Sequence, residues 1–344
     1  MAEEDQDPGR LRARLRGLVA AWRPGATVTA VRPLEGGRSS LTYLVALERG
    51  APVVVKMAPP GLPPTRNRDV LRQARVQEAV ARSGRAPVAP VLFTDAGAPP
   101  ELPPLYAMAF VGGESFEPLL DAIAELPAPA TIRGRQLAAA RALAGLHSIA
   151  PGAVGLADEP EVTLVDEVER WTRIFETVSD DLRPGYRAPA AALLDRLPAS
   201  IPSTVVHGEF RLGNLLARGA DVAAIIDWEL WTREDPRVDL SWFLSYVDAD
   251  EQPSAIRPTP PGMPTRAELL DAYEDAAGAP VADLEWFDAH ARFKMAAIAA
   301  LVNKHNRRRE HPDPEQEALV PVISRLLEQS LAMLDRAPTR PSRR

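Results

Sequence analysis

Residues 205–229 read VVHGEFRLGNLLARGADVAAIIDWE, and no other stretch constrains the fold as much. Two short apolar runs, Val205-Val206 and Ala223 to Ile226, each deliver a cluster of polar groups. The first cluster is His207, Glu209 and Asn214; the second is Asp227 and Glu229. An acidic group, an amide five residues on and a second carboxylate after a turn can hold a divalent metal and a reacting hydroxyl together. That combination is the equipment of phosphoryl transfer.

The rest of the chain sets bounds on this reading. Its 344 residues are enough for two lobes rather than one small core. A net charge of −7 argues against a nucleic-acid binder that works by neutralising phosphates. With no cysteine, disulfides and thiolate metal sites are excluded. The opening residues, MAEEDQD, are acidic and carry no apolar segment, so no signal peptide is expected. The run MAAIAALV at 295–302 is too short to span a bilayer. The expectation is a cytoplasmic monomer or homodimer. Basic residues are almost all arginine, and Lys56, Lys294 and Lys304 are the only lysines. Each is therefore worth examining.

Periodicity divides the chain in two. Residues 9–23 have helical spacing (Leu11, Leu15, Leu18, Val19, Trp22) and stop at Pro24-Gly25. Strands are predicted at 27–34, 41–48, 52–57, 91–93 and 105–111, with a helix over 67–83. After about residue 114 the pattern becomes helical, over 131–149, 162–179, 187–197, 265–277, 283–308 and 315–336. The predicted fold class is α+β, with a small β-rich lobe at 1–113, a larger helical lobe at 114–336 and a disordered tail at 337–344.

The spacing His-x-Glu-x-x-x-x-Asn followed by Ile-Asp-Trp-Glu resembles the aminoglycoside and choline phosphotransferase family, which has a protein-kinase-like fold. GGRSSLTYLV at 36–45 looks like its nucleotide-covering hairpin, PVVVKM at 52–57 supplies its strand lysine, and DPRVDL follows the metal-binding strand. The resemblance runs over roughly residues 25–305 and is closest to the kinase-like domains fused to some acyl-CoA dehydrogenases. It implies ATP or GTP as co-substrate, Mg²⁺ as cofactor and a small hydroxyl-bearing acceptor.

The resemblance also implies roles, each with a plainer counterpart. Lys56 would hold the α- and β-phosphates, or else point to solvent from an edge strand. Its usual partner, a helix glutamate, aligns with Gln73 in the best register; Glu78, five residues on and on another face, is the alternative. Ser39 and Ser40 would donate to phosphate oxygens, or simply close a tight β-turn. Met108 and Phe110 would line the base pocket, or be ordinary core residues. Asn214 and Asp227 would ligate Mg²⁺, or cap turns. His207 is read as a brace for the catalytic loop, and Asp239 as its tie to the segment that follows.

Glu209 departs from the family, which places aspartate there to orient the attacking hydroxyl. The glutamate carboxylate sits one methylene farther out, roughly 1.5 Å. A misplacement of about 1 Å can cost about 100-fold in rate. Two readings follow. One is a small-molecule kinase whose loop or acceptor has shifted to suit. The other is a pseudokinase that binds nucleotide and acts as a binding or regulatory protein.

Overall fold

The computed structural model describes residues 8–34, 40–123 and 125–336. The expected tail at 337–344 lies outside them. The first helix, α1 (Pro8–Trp22), ends where Gly25 takes a φ of 83°, a conformation that favours glycine. Strands β1 (Val28–Leu34), β2 (Leu41–Leu47) and β3 (Val53–Met57) follow. Helix α2 (Val70–Ser83) comes next, then β4 (Val91–Asp95) and β5 (Leu105–Ala109). The strands form one antiparallel sheet in the order β1-β2-β3-β5-β4, which puts β3 at its centre.

Strand alternation decides which side chains meet the site. Val53, Val55 and Met57 face α1 and pack with Leu15 and Val19. Lys56 therefore faces the other way. On that side α2 covers the sheet, with Val70 and Ala74 against Ala58 and Tyr106. Farther along α2, Val76, Ala79 and Val80 join the core of the helical part, so this helix links the two. A cavity of about 460 Å³ opens on the α1 side of the sheet against Tyr43 and Met57, the face away from Lys56.

The larger part contains α3 (Pro129–His147), α4 (Leu164–Glu176) and α5 (Arg187–Asp195). Two small antiparallel pairs follow. Strand β6 (Thr204–Val206) pairs with β9 (Thr232–Glu234), and between them β7 (Leu215–Arg218) and β8 (Asp221–Ile225) make a hairpin. The chain ends in α6 (Arg237–Leu244), α7 (Arg266–Ala277), α8 (Leu284–Asn306), α9 (Pro314–Glu317) and α10 (Val320–Arg336). One core joins α3, α6 and α7 to the hairpin region through Leu143, Phe210, Trp228 and Phe243. A second joins α4, α5, α8 and α10 through Trp171, Phe175, Phe293 and Leu326. Among the described residues no helix is long and apolar enough to cross a membrane.

Several boundaries differ from the sequence reading. The helix expected over 315–336 is two helices. Pro321 lacks an N–H and its ring would clash with the carbonyl four residues back, so the chain breaks before Val320. The strand expected to run to 111 stops at Ala109, before Gly112-Gly113. Helix α6 has no readable period because all eight of its residues are buried.

His290 on α8 gives the fold a measurable pH dependence. It is buried, stacks on Trp286 with planes 4° apart, and its Nε2 has no hydrogen-bond partner. Burial pushes its pKa down to about 4 from 6.5. The unfolded chain thus binds the proton more readily between those values. The associated stability is fully present above pH 6.5 and is lost as pH falls through 4, on the order of 3 kcal/mol. His290→Gln is expected to flatten that limb, measured as urea unfolding midpoints at pH 7 and pH 4.5.

Candidate active site

The site forms where the sheet, α2 and the β7–β8 hairpin converge. Its backbone is fixed first. Asp239, fully buried on α6, accepts hydrogen bonds from the N–H groups of His207 (2.5 Å) and Gly208 (2.8 Å). Burial alone would raise the Asp239 pKa, but the His147 contact, the nearby His207 ring and these N–H donors together hold it below the ordinary value. His147 lies 3.5 Å from Asp239 and 2.8 Å from the Tyr273 hydroxyl.

His207 braces the loop. Its Nε2 donates to the Ile226 carbonyl at 2.9 Å, and its Nδ1 accepts from the Glu209 N–H at 3.2 Å. This pairing fixes the tautomer and leaves the ring no free nitrogen. From the opposite side Lys294 donates its Nζ to the Gly208 carbonyl at 2.7 Å. The same ammonium sits 4.5 Å from the centroid of Trp242 and 5.4 Å from that of Trp171. Gly208 has a φ of 84°, and a Cβ there would stand 2.3 Å from the Leu230 carbonyl. Only glycine fits.

On this frame the reactive groups are set. Asp227 follows β8 in the left-handed region at φ 64° and ψ 61°, which turns its carboxylate toward β3. Lys56 meets it, with Nζ 2.8 Å from Oδ1. This ion pair spans 171 positions of sequence and ties the central strand of the sheet to the hairpin. Asn214 is buried beside them. Its side-chain Nδ2 donates to the Glu209 carbonyl at 2.9 Å, and its backbone carbonyl accepts from the Ile226 N–H at 2.9 Å. With Nδ2 committed, Oδ1 is the end left to face a cation. Glu209 is partly exposed, and its Oε1 lies 3.4 Å from the Arg211 Nε.

Other residues named from sequence fall differently. The Lys56–Gln73 contact is not made. The Gln73 amide donates to the Asn67 carbonyl at 2.9 Å, and its Oε1 is buried without a partner. A neutral amide does not compete with the Asp227 carboxylate for the ammonium. Glu78 is not the substitute, because it stands on the open side of α2 near Arg82. Met108 packs toward α2, where its sulfur lies 3.4 Å from the Gln77 amide. Phe110, just beyond β5, is exposed. Ser40 is buried just before β2, and its hydroxyl has no partner among the described residues. Ser39 lies outside the described residues.

Sequence reasoning missed Glu117 and Arg211. The segment after β5 is pinned to β7 by paired Glu114 and Ala217 backbone bonds, both 2.9 Å, and the Ser115 hydroxyl donates to the Gly213 carbonyl. This carries Glu117 into the loop, fully buried, with Oε2 accepting from the Gly213 N–H at 3.1 Å. Burial raises its pKa to about 7, against the opposing charge of Arg211. The stretch ESFEPLL has no clear period that could have signalled this placement.

Mg²⁺ takes oxygen ligands and needs only one or two from protein when phosphates supply others. Asp227 Oδ and Asn214 Oδ1 fit that demand. Among the described residues no group of three or more His, Cys, Asp or Glu forms a dedicated metal cage.

A five-stranded antiparallel sheet set against a larger helical part, with the strand lysine paired to the aspartate after β8, defines a kinase-like fold. The chain belongs to the phosphotransferase enzyme family, whose profile it matches over residues 30–284. It is 28% identical over 289 residues to the Arabidopsis thaliana protein named "Probable acyl-CoA dehydrogenase IBR3", covering 76% of this chain and 34% of that one. The chain thus spans about a third of the length of that relative. A crystal structure from Ralstonia eutropha JMP134, provisionally assigned as an aminoglycoside phosphotransferase, superposes with a TM-score of 0.76 at 23% identity, covering 95% of this chain and 99% of that one. Spectinomycin phosphotransferase, in complex with ADP and spectinomycin, has a TM-score of 0.59 at 12% identity, covering 93% and 98%. At these identities the two structures speak for the fold alone.

Proposed function

We propose that this chain transfers the γ-phosphoryl group of ATP or GTP to a hydroxyl of a small molecule, and that the acceptor is a hydroxyacyl derivative. The observation that carries the reading is the Lys56–Asp227 ion pair with Asn214 beside it. It brings an ammonium, a carboxylate and an amide together where the sheet meets the hairpin. The ADP bound to the spectinomycin enzyme supports a nucleotide in this fold. The acyl-CoA dehydrogenase relative supports an acyl acceptor.

In this reading Lys56 holds the nucleotide phosphates, and Ser40 offers them its unpartnered hydroxyl. Phe110 supplies an open apolar face for the base. Asn214 and Asp227 would hold Mg²⁺, which supplies charge neutralisation on the β- and γ-phosphates. Glu209 accepts a hydrogen bond from the acceptor hydroxyl and aims its oxygen in line with the γ-phosphorus. The new P–O bond forms as the bond to the β-phosphate oxygen breaks. The products are a phosphate ester and a nucleoside diphosphate, and the hydroxyl proton passes to Glu209 and then to solvent. Positioning and electrostatics do most of such catalysis.

The test is transfer of label from γ-labelled ATP and GTP to a panel containing hydroxyacyl-CoA thioesters, free hydroxy acids, choline and aminoglycosides. Label is expected in the hydroxyacyl compounds. Glu209→Asp is expected to lower the rate at least about tenfold, because the site is built around the longer side chain. Nucleotide-dependent thermal stabilisation with no labelled acceptor, and no gain in Glu209→Asp, would instead identify a nucleotide-binding protein without turnover.

A further inference from the structure

The geometry points to Glu117 and Arg211 as positioning residues that adapt this site to a glutamate at position 209, an inference that rests on the phosphotransfer reading above. Arg211 stands between two carboxylates. Its Nε is 3.4 Å from Glu209 Oε1, and its NH1 is 3.9 Å from Glu117 Oε2. The guanidinium lies directly over Gly213, where a Cβ would come within 1.9 Å of NH1. The absence of a side chain at 213 is what makes that seat.

Glu117 holds the seat from below. It is fully buried, receives the Gly213 N–H on Oε2, and leaves Oε1 without a partner. Its own N–H donates to the Asp121 carboxylate at 2.8 Å, which fixes the backbone that carries it. A buried carboxylate this close to a guanidinium favours one placement of the arginine over its other rotamers. The Arg211 pKa rises: burial would lower it, and the Glu209 and Glu117 carboxylates outweigh that cost.

The consequence falls on Glu209. An aspartate there would end roughly 1.5 Å short, beyond reach of the Arg211 Nε. A glutamate reaches it and is drawn back along the loop toward Arg211. That contact holds the longer carboxylate in one place on the loop, and a shorter side chain would be left unheld. Arg211 thus acts on the acceptor hydroxyl only through Glu209, and Glu117 only through Arg211.

The experiment is a double-mutant cycle between positions 209 and 211. Arg211→Met is expected to lower kcat about 10- to 100-fold in the parent with the nucleotide KM unchanged, and less than about threefold in the Glu209→Asp background. Arg211→Lys, which keeps the charge without the fork, should recover part of the loss. Glu117→Gln should weaken kcat in the same direction and by less. Urea unfolding of the same four proteins gives a readout that needs no turnover. Midpoints should be non-additive between Arg211→Met and Glu209→Asp. If no acceptor is labelled by any variant, the phosphotransfer reading fails, and the unfolding cycle still decides whether the pair holds Glu209. An equal cost of Arg211→Met in both backgrounds, or additive midpoints, overturns the inference.

Discussion

Asp227→Asn is expected to lower phosphoryl transfer about 100- to 1,000-fold while leaving the fold intact. The loss follows from removing the carboxylate that pairs with Lys56 and is proposed to ligate the cation. Preorganised charge of this kind is worth about that factor in other enzymes. Lys56 would lose its ion-pair partner at 2.8 Å, and the proposed Mg²⁺ site would lose its charged ligand. The fold survives for a specific reason. Asp227 sits at φ 64°, and asparagine is among the few side chains that tolerate the left-handed region. Alanine would add backbone strain and confuse the two effects. Steady-state kinetics and circular dichroism on the same preparation separate them.

The second large effect is expected at Lys294, which braces the peptide before Glu209. Lys294→Met should cost about 3–5 kcal/mol of unfolding free energy, read from urea denaturation. The ammonium is buried, and burial lowers its pKa, offset by the nearby Glu167 carboxylate. Without the lysine, Glu167 remains buried with the Trp171 N–H at 2.6 Å and Arg170 at 3.4 Å as its neighbours. Lys294→Met combined with Glu167→Gln should recover much of the stability, since both charges then leave together. It should not recover kcat. The Gly208 carbonyl still lacks its donor, and the peptide leading into Glu209 is free to tilt. Full catalytic recovery in the double variant would show that the lysine serves stability alone.

How much of this was legible in the chain depends on whether a residue speaks through a local pattern. Lys56 and Asp227 did, because each follows a short apolar run that fixes its direction, and Asn214 was placed by its spacing from Glu209. His207 and Asp239 were readable as braces through motif spacing, and the structure joins them by a 2.5 Å bond from the His207 N–H. Lys294 stood out only as one of three lysines; its meeting with Gly208 depends on how α8 crosses the loop. Glu117 and Arg211 gave no warning, since their partners are set by the β7 bridge rather than by sequence distance. Gln73 misled for the opposite reason. Its position in a register suggested a partner for Lys56, and the ammonium found a full carboxylate elsewhere. Helix α6, buried on every side, hid its period altogether.

Lys56, Asn214 and Asp227 are proposed to seat a nucleotide and its divalent cation together. Calorimetric titration of a non-hydrolysable ATP or GTP analogue, with and without Mg²⁺, tests it most directly. Binding is expected to strengthen at least about tenfold with Mg²⁺ in the parent and to lose that gain in Asp227→Asn. Binding that is indifferent to Mg²⁺, or unchanged by Asp227→Asn, would contradict it.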